Sequence, residues 1–200
     1  MKRPLRIAVA DDERDTRDFL QELLPRLGHE VVAVATTGRE LVDKVQATAP
    51  DLVITDIKMP DMDGLQASIA VNRDKQVPVV LISAHHDAEL LTRLGADHIM
   101  GYLVKPVKEA DLKTAITVAM LRFQHFLAAV REAADLRQAL EDRKVIERAK
   151  GAVVKRCGVD EEEAFRRLRK LASDNNHKLA EAAEQVVTAE EVFRRLDRGG

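Results

Sequence analysis

The sequence predicts an α/β protein whose doubly wound, five-stranded parallel sheet is followed by a long helix and a small all-α domain of three helices. Five short runs rich in Val, Ile and Leu alternate with amphipathic segments over residues 1–121, a pattern typical of parallel strands covered on both faces by helices. From Asp111 to Ala152 the chain contains no Pro and a single Gly, Gly151, which allows one continuous helix. We therefore expect three segments: an α/β domain at 1–121, a coiled-coil-like helical linker at 122–142 and a three-helix domain with a charged tail at 143–200.

The predicted strands are short and mostly unalternating, as suits strands buried on both faces. They lie at 5–10, 31–34, 52–55, 79–83 and 100–104. The first intervening helix carries an apolar stripe from Phe19 to Leu27 and ends at Gly28, and the second carries Leu41, Val42 and Val45. Further helices are predicted near 64–73, 86–94 and 108–121.

The long helix carries an apolar seam that allows two interpretations. Its members repeat at spacings of four and three and then move one residue out of phase; they are Ile116, Met120, Phe123, Leu127 and Val130, followed by Ala133, Leu136 and Leu140. Such a seam is typical of a coiled coil and predicts a homodimer formed through the linker helix. The alternative is that the stripe packs against its own domain.

The C-terminal segment shows three shorter apolar stripes, each typical of a small helix. Their members are Ile146, Ala149, Val153 and Val154; Ala164, Leu168, Leu171 and Ala172; and Leu179, Ala183, Val186 and Val187. Gly158 is a natural C-cap for the first helix, and the acids at 160–163 complement the dipole at the start of the second. A charged tail is expected at 188–200.

The charge of the chain changes sign along its length. Residues 1–121 hold 15 Lys/Arg and 19 Asp/Glu, whereas residues 143–200 hold 14 and 11, so the two ends are expected to have different partners. The only cysteine, Cys157, excludes an intrachain disulfide, and no apolar stretch has the length of a membrane span. We expect a cytoplasmic protein with no membrane partner.

Polar side chains follow four of the predicted strands. The first strand ends in Asp11-Asp12-Glu13, the third in Asp56, the fourth in Ser83 and the fifth in Lys105-Pro106, and the carboxyl ends of parallel strands meet at one edge of a sheet. Clustered carboxylates repel one another unless a cation holds them, and hard oxygen ligands suit Mg²⁺. Lys105 and the Ser83 hydroxyl suit phosphoryl oxygens, and an aspartate can itself accept a phosphoryl group. The pattern therefore predicts a magnesium-dependent phosphate site in which Asp56 is the acceptor.

Each of these residues also has a simpler interpretation when it is taken alone. A strand-terminal Asp is often a helix cap, and residues 59–64 could form a turn in which Gly64 supplies a positive φ. The coincidence of all four groups at successive strand ends favours the phosphate site.

Residues 1–121 resemble the flavodoxin-like receiver domain of bacterial two-component response regulators. The motifs VADDE (9–13), TDIKMPDMDG (55–64), LISA (81–84) and YLVKP (102–106) occur in the order and at the spacings of that family. The resemblance implies that the chain is a phosphorylated regulator rather than a separate enzyme, although a receiver can catalyse its own phosphotransfer and dephosphorylation.

The resemblance also implies a role for each residue of the site. Asp56 would accept phosphate from a sensor histidine kinase or a phosphotransfer protein. Asp12, Asp56 and the Lys58 backbone carbonyl would hold Mg²⁺, and Asp11 would help through a water molecule. Ser83 and Lys105 would contact the phosphoryl group. Tyr102 would move inward when Ser83 is drawn to the phosphoryl group, and Lys105-Pro106 would be a cis bond, which proline makes accessible.

The second half of the chain carries a basic region. Residues 143–170 contain ten Lys/Arg, four of which lie at Arg166, Arg167, Arg169 and Lys170. This region is either a solvated helix face or a surface that follows a phosphate backbone. A DNA-reading helix is not expected, because the third helix holds Glu181 and Glu184 and the connection before it, SDNNH, is not a helix-turn-helix turn.

Residues 143–187 resemble the ANTAR domain, the three-helix RNA-binding module of transcription antitermination regulators. The resemblance lies in Ala149-Lys150-Gly151, Ala164-Phe165, Leu168-Arg169, Ala172 and the helix from Leu179 to Val187, while Ser173 and Val153-Val154 depart from the common residues of the family. It implies binding of RNA hairpins, with Arg148, Lys150, Arg166, Arg167 and Arg169 as contact candidates. Phe165 is expected to be a core residue.

Two functions follow. The first is a phosphorylation-controlled antiterminator that binds an RNA hairpin in a transcript leader. The second is a phosphorelay or sequestering regulator whose helical tail binds protein. His85, His86 and Cys157 lack metal-ligand spacing, so they are expected to be a surface pair and a small core thiol.

Overall fold

A computed structural model describes residues 3–73, 76–84 and 98–197. The chain divides into two compact units, Met1–Ala128 and Ala129–Gly200. The predicted helix near 86–94, together with His85 and His86, lies outside the described residues. Within the described residues, no helix combines the length and the apolarity that crossing a membrane requires.

The first unit is built on five strands, and helices connect them or follow them. The strands are β1 (Arg6–Ala10), β2 (Glu30–Ala35), β3 (Leu52–Asp56), β4 (Val79–Ser83) and β5 (Ile99–Val104), and the helices are α1 (Arg14–Arg26), α2 (Gly38–Thr48) and α3 (Gly64–Val71). Three more helices follow β5: α4 (Glu109–Cys157), α5 (Glu161–Asp174) and α6 (Leu179–Asp197). The described elements confirm the α/β fold followed by a helical region.

The five strands form one parallel sheet in the order β2-β1-β3-β4-β5. Every residue of β3 and β4 is buried, as expected for central strands that are covered on both faces. Alternate residues of β1 point to opposite faces, so that Ile7 and Val9 belong to one apolar cluster and Ala8 and Ala10 to another. The parallel arrangement brings the ends of β1, β3, β4 and β5 to one edge of the sheet.

The two halves of the apolar seam on helix α4 differ in burial, which bears on whether the seam forms a coiled coil or packs on its own unit. Ile116 and Phe123 are buried in the first unit's core, and Met120 and Leu127 pack against them. The first half of the seam therefore packs on its own unit, as the alternative interpretation predicted. By contrast, Val130, Leu136 and Leu140 are 42%, 66% and 54% exposed, and a homodimer through these residues stays a prediction.

The second unit is a helical unit with a small apolar core. Ala149 of α4, Leu168 of α5 and Ala183 of α6 form its buried centre, with partly buried Val153 and Val186 around it. Gly158 has a φ of 63° just after α4, which confirms its predicted role because a left-handed residue commonly ends a helix. The Asp160 carboxylate then accepts a hydrogen bond from Glu163 N at 2.7 Å and begins α5.

Three expectations for this unit differ from the structure. Helix α6 continues to Asp197, so much of the predicted charged tail is helical. The Arg156 guanidinium, at the end of α4, lies 3.9 Å from the centroid of the Phe193 ring in this extension. Cys157 is exposed rather than a core thiol, because it occupies the last position of α4. Phe165 is only partly buried, since it lies next to the stripe of Ala164, Leu168 and Ala172 that faces the core.

Candidate functional site

Two buried carboxylates lie at the carboxyl edge of the sheet. Asp11 directly follows β1 and is completely buried, and Asp56 ends β3 with 5% of its surface exposed. Because β1 and β3 are paired in parallel, the sheet itself brings these acids together. Ser83, at the end of the next strand, is also buried, whereas Asp12 is exposed.

Lys105 joins the acids of this edge. Its Nζ lies 3.0 Å from Asp11 Oδ2, 3.2 Å from Asp56 Oδ1 and 2.7 Å from Glu13 Oε2. The lysine is positioned by its backbone, because Lys105 N donates to the Ser83 carbonyl at 2.8 Å directly after β5. The bond between Lys105 and Pro106 is cis, which confirms that expectation. The Lys105 ammonium group therefore contacts three carboxylates.

The electrostatics of the cluster follow from its burial. Desolvation raises the pKa of the Asp11 and Asp56 carboxyls, although Lys105 opposes the shift at both positions. Burial alone would lower the pKa of Lys105, but hydrogen bonds to Glu13 and Asp11 outweigh it and raise that pKa. The hydrogen bond from Lys105 lowers the pKa of Glu13. One ammonium group thus faces three carboxyl groups, and a further cation would offset the remaining negative charge.

The donor groups of this edge suit a hard divalent cation. Asp11 Oδ2 is buried and makes no hydrogen bond to the described residues. It lies 3.0 Å from Lys105 Nζ, which donates its hydrogen bond to the other oxygen, Asp11 Oδ1, at 3.3 Å. No cluster of three His, Cys, Asp or Glu side chains arranged to hold a metal is present among the described residues. Mg²⁺ requires only one or two carboxylates because it retains water and takes phosphate oxygens as further ligands. Asp11 and Asp56 meet that requirement.

The loop after β3 holds Asp56 in place. Lys58 N donates to Asp56 Oδ2 at 2.8 Å, and Asp63 begins α3 by accepting a hydrogen bond from Gln66 N at 2.6 Å. The simpler interpretation of this loop, a turn with a positive φ at Gly64, is wrong, because the left-handed residue of the loop is Asp61, with a φ of 66°. Gly64 is needed for space: a Cβ there would lie 1.9 Å from the Asp56 carbonyl oxygen. The loop therefore packs directly against the backbone of Asp56.

Tyr102 lies within β5, in register with Leu81 of β4. Its ring is partly buried and packs against the apolar cluster that contains Leu81 and Leu65. Ser83 lies two residues beyond Leu81 on β4 and is paired with Val104. The two predicted switch residues thus lie on adjacent strands of the sheet.

Two residues near the site received no role from the sequence. Glu13 was named only as the third acid of the DDE triplet, and the structure shows its 2.7 Å contact with Lys105. Arg17 Nη1 donates to the carbonyl oxygens of both Asp11 and Asp12 at 2.8 Å and so holds the loop that carries the acids. The sequence signal for Arg17 was its position in the first turns of the helix that follows the acidic loop.

In the second unit, most of the candidate RNA-contact residues are paired with acids. Arg148 contacts Glu191 at 2.9 Å, and Glu163 contacts both Arg166 at 3.0 Å and Arg167 at 2.8 Å. Lys150 is 16% exposed and lies between Glu147 and Glu161. The Arg169 guanidinium lies 6.0 Å from the Phe165 ring centroid. Arg148, Arg166 and Arg167 remain half or more exposed, whereas Lys150 is largely covered.

Family models match both parts of the chain. The response regulator receiver domain matches residues 7–117, and the ANTAR domain matches residues 134–187. The transcriptional regulatory protein PdtaR of Mycobacterium tuberculosis (strain H37Rv) is 37% identical over 184 residues, which cover 92% of this chain and 90% of that protein.

Solved structures resemble the first unit. A response regulator receiver domain protein from Clostridium thermocellum has a TM-score of 0.55 and 28% identity, and the match covers 60% of this chain and 98% of that one. The receiver domain of the response regulator NarL from M. tuberculosis has a TM-score of 0.54, also with 28% identity, over 58% of this chain and 95% of that one.

The sheet order, the buried acids at its carboxyl edge and the family matches agree with one another. The chain therefore belongs to the two-component response regulators that join a receiver domain to an ANTAR domain.

Proposed function

We propose that this response regulator is phosphorylated on Asp56 and that its ANTAR domain binds RNA hairpins to promote transcription antitermination. The observation that carries the first half is the convergence of Asp11, Asp56 and Lys105 at one edge of the sheet. The second half is supported by the ANTAR match at 134–187 and by the exposed arginines of α4 and α5.

In the proposed reaction, a carboxylate oxygen of Asp56 attacks the phosphorus atom of a phosphohistidine on a sensor kinase or phosphotransfer protein in the cytoplasm. The phosphorus–nitrogen bond breaks, the imidazole leaves, and an acyl phosphate forms on Asp56. The chain itself supplies two groups for the phosphoryl oxygens: the Lys105 ammonium, 3.2 Å from Asp56, and the hydroxyl of Ser83. Hydrolysis of the same acyl phosphate, catalysed by the receiver, would end the signal.

Asp11, Asp12, Asp56 and the Lys58 backbone carbonyl would hold Mg²⁺ in this site. When it is bound, the ion supplies positive charge to the phosphoryl oxygens. Asp12 is exposed in the structure and lies in the same acidic loop as Asp11. Arg17 would keep this acidic loop in place through its two carbonyl contacts.

Phosphorylation would be transmitted through the ends of β4 and β5. The phosphoryl group brings nearly two negative charges, which draw the Ser83 hydroxyl toward Asp56. Tyr102, on the adjacent strand, would then pack inward and change the surface of this part of the receiver. We propose 1–121 as the receiver, 122–142 as the linker and 143–200 as the RNA-binding part. A homodimer through Val130, Leu136 and Leu140 would bring two RNA-binding domains together and raise affinity through effective concentration.

Labelling with acetyl phosphate tests the receiver. The wild-type protein should gain one phosphoryl group in the presence of Mg²⁺, as measured by intact mass, and Asp56→Asn should gain none. Asp63→Asn is the matched control, because Asp63 only caps α3. Undiminished labelling of Asp56→Asn would contradict the proposed acceptor.

Fluorescence anisotropy tests the RNA function. Paired-hairpin RNA is titrated against DNA of equal length, with and without beryllofluoride and Mg²⁺. Arg166→Glu and Arg169→Glu should each weaken RNA binding at least tenfold, because reversing a phosphate-contacting charge replaces attraction with repulsion. Arg131→Glu makes the same charge change at an exposed position of the linker and should have little effect.

The second candidate is a regulator whose helical tail binds protein. The pairing of Arg148, Arg166 and Arg167 with acids of their own unit favours it, since these arginines are partly neutralised. RNA binding that does not respond to Arg166→Glu and Arg169→Glu would support this candidate over the first.

A further inference from the structure

Glu13 occupies the N-cap position of helix α1, but its side chain does not cap the helix. The N-cap residues of α2, α3 and α5 are Thr37, Asp63 and Asp160, and each accepts a backbone N–H with its side chain. Glutamate is not among the preferred N-cap residues. The identity of Glu13 is therefore not explained by the helix that it begins.

The carboxylate of Glu13 is directed to Lys105 instead. Its Oε2 lies 2.7 Å from Lys105 Nζ, which is closer than either Asp11 at 3.0 Å or Asp56 at 3.2 Å. Thr16 Oγ1 donates to the same oxygen at 3.2 Å and orients it. Glu13 thus makes the shortest contact of the shared ammonium.

Exposure distinguishes Glu13 from the two other partners of Lys105. Its side chain is 62% exposed, whereas those of Asp11 and Asp56 are 0% and 6% exposed. A buried carboxylate that loses its cation is left without compensation, but an exposed one is hydrated by solvent. Glu13 is consequently the partner that Lys105 can release at the lowest cost.

We propose that Glu13 is a positioning residue that holds Lys105 in the unphosphorylated receiver and competes with a phosphoryl group on Asp56 for the lysine ammonium. The inference rests on the proposed phosphorylation of Asp56. A phosphoryl group requires Lys105 as a partner, so its binding either breaks the contact with Glu13 or leaves the Glu13 carboxylate close to a second anion. Both outcomes oppose the phosphorylated state. Glu13 therefore limits how strongly the receiver holds its phosphoryl group.

The test measures the affinity for beryllofluoride, a stable phosphoryl mimic, at saturating Mg²⁺. Glu13→Gln keeps the shape of the side chain and removes its charge. We expect it to bind beryllofluoride about two- to fivefold more tightly than the wild-type protein, because an exposed ion pair of this kind contributes little more than that factor. The difference should shrink in high salt, which screens exposed charges. Mg²⁺ affinity is measured separately by calorimetry, so that a change in metal binding is not mistaken for a change in phosphoryl binding.

Asp18→Asn is the matched control. Asp18 lies on the same helix and pairs with Arg14 at 3.4 Å, so its substitution removes one negative charge without touching Lys105. Its beryllofluoride affinity should equal that of the wild-type protein. Glu13→Ser provides a second variant, which is expected to fold because serine is a preferred N-cap residue and should bind beryllofluoride as Glu13→Gln does.

Unchanged or weaker beryllofluoride binding by both Glu13 variants would overturn the inference, as would an equal gain in Asp18→Asn. If the wild-type protein is labelled on Asp56 but the Glu13 variants bind beryllofluoride with the wild-type affinity, only this inference is overturned. A wild-type protein that is neither labelled nor bound by beryllofluoride would overturn the proposed phosphorylation, and the role of Glu13 with it.

Discussion

Lys105 Nζ and Asp56 Oδ1 lie 3.2 Å apart and join the end of β5 to the end of β3. Asp56 is nevertheless a destabilised anion in this position, because desolvation raises its pKa and Asp11 adds repulsion, against the opposing effect of Lys105. A carboxyl whose folded-state pKa is raised costs stability at every pH above that pKa. The fold thus keeps an unfavourable charge at the residue that we propose as the phosphoryl acceptor.

Asp56→Asn should therefore stabilise the protein in the absence of Mg²⁺. We expect the free energy of unfolding at pH 7 to rise, because the substitution removes the desolvation cost of the Asp56 carboxylate and its repulsion with Asp11. Lys105 retains Asp11 and Glu13 as partners. Urea denaturation in EDTA measures the change, and a loss of stability would mean that the Asp56–Lys105 pair outweighs the desolvation of Asp56.

Gly64→Ala should destabilise the receiver and displace the loop that carries Asp56. A Cβ at this position would meet the Asp56 carbonyl oxygen at 1.9 Å and Thr55 Oγ1 at 3.0 Å, and overpacking of this kind typically costs about 1–3 kcal/mol. Gly151→Ala is the control, because its Cβ would meet nothing within 4 Å in the interior of α4 and should stabilise the helix by about 0.5–1 kcal/mol. Thermal unfolding of both variants tests this contrast. Equal shifts of the two unfolding temperatures in the same direction would contradict it.

The start of α2 should show a pH-dependent contribution from Glu40. Hydrogen bonds from Lys44 and from Thr36 N lower the pKa of Glu40 to about 2. Because the folded-state pKa is depressed, the stabilisation is fully present above the unfolded value near 4.5 and is lost as the pH falls toward 2. The side chain is 38% exposed, so solvent screening reduces the contribution to less than about 1 kcal/mol.

Glu40→Gln should lower the free energy of unfolding at pH 7 by that amount, and the difference from the wild-type protein should disappear near pH 2. Glu22→Gln is the control, since Glu22 is 78% exposed and lies 3.8 Å from Arg26. Urea titrations across this pH range measure both variants. A difference that is independent of pH would exclude the carboxylate charge as its cause.

Glu163→Gln should increase RNA affinity if the ANTAR domain binds RNA as proposed. Glu163 neutralises Arg166 and Arg167 together, so its removal frees two cations and should strengthen binding about two- to fivefold while steepening its dependence on salt. Glu162→Gln removes the same charge from the same first turn of α5, where Glu162 is exposed, and serves as the control. Anisotropy titrations at several salt concentrations measure both effects. Equal gains in RNA affinity in the two variants would mean that the change in net charge, rather than the release of Arg166 and Arg167, causes the effect.

The sequence predicted most of the receiver because its signals are local. Five apolar runs alternating with amphipathic helices specify a parallel sheet, and a parallel sheet necessarily collects its strand ends at one edge. The positions of Asp11, Asp56 and Lys105 at three strand ends therefore predict that these side chains lie near one another. Gly158 was identified as a helix end for the same kind of reason, because a helix stop is a property of a few adjacent residues.

What the sequence alone could not decide were questions of packing and pairing between distant residues. The seam of α4 is apolar on both sides of its shift in phase, but only the tertiary structure buries Phe123 and leaves Leu136 exposed. The same holds for Gly64, which could have supplied a positive φ to a turn but instead leaves space for the Asp56 carbonyl. It also holds for Glu13, whose contact with Lys105 spans 92 positions of the chain. Local patterns fix the elements and their order, whereas the choice among competing charge partners is made only when those elements are brought together.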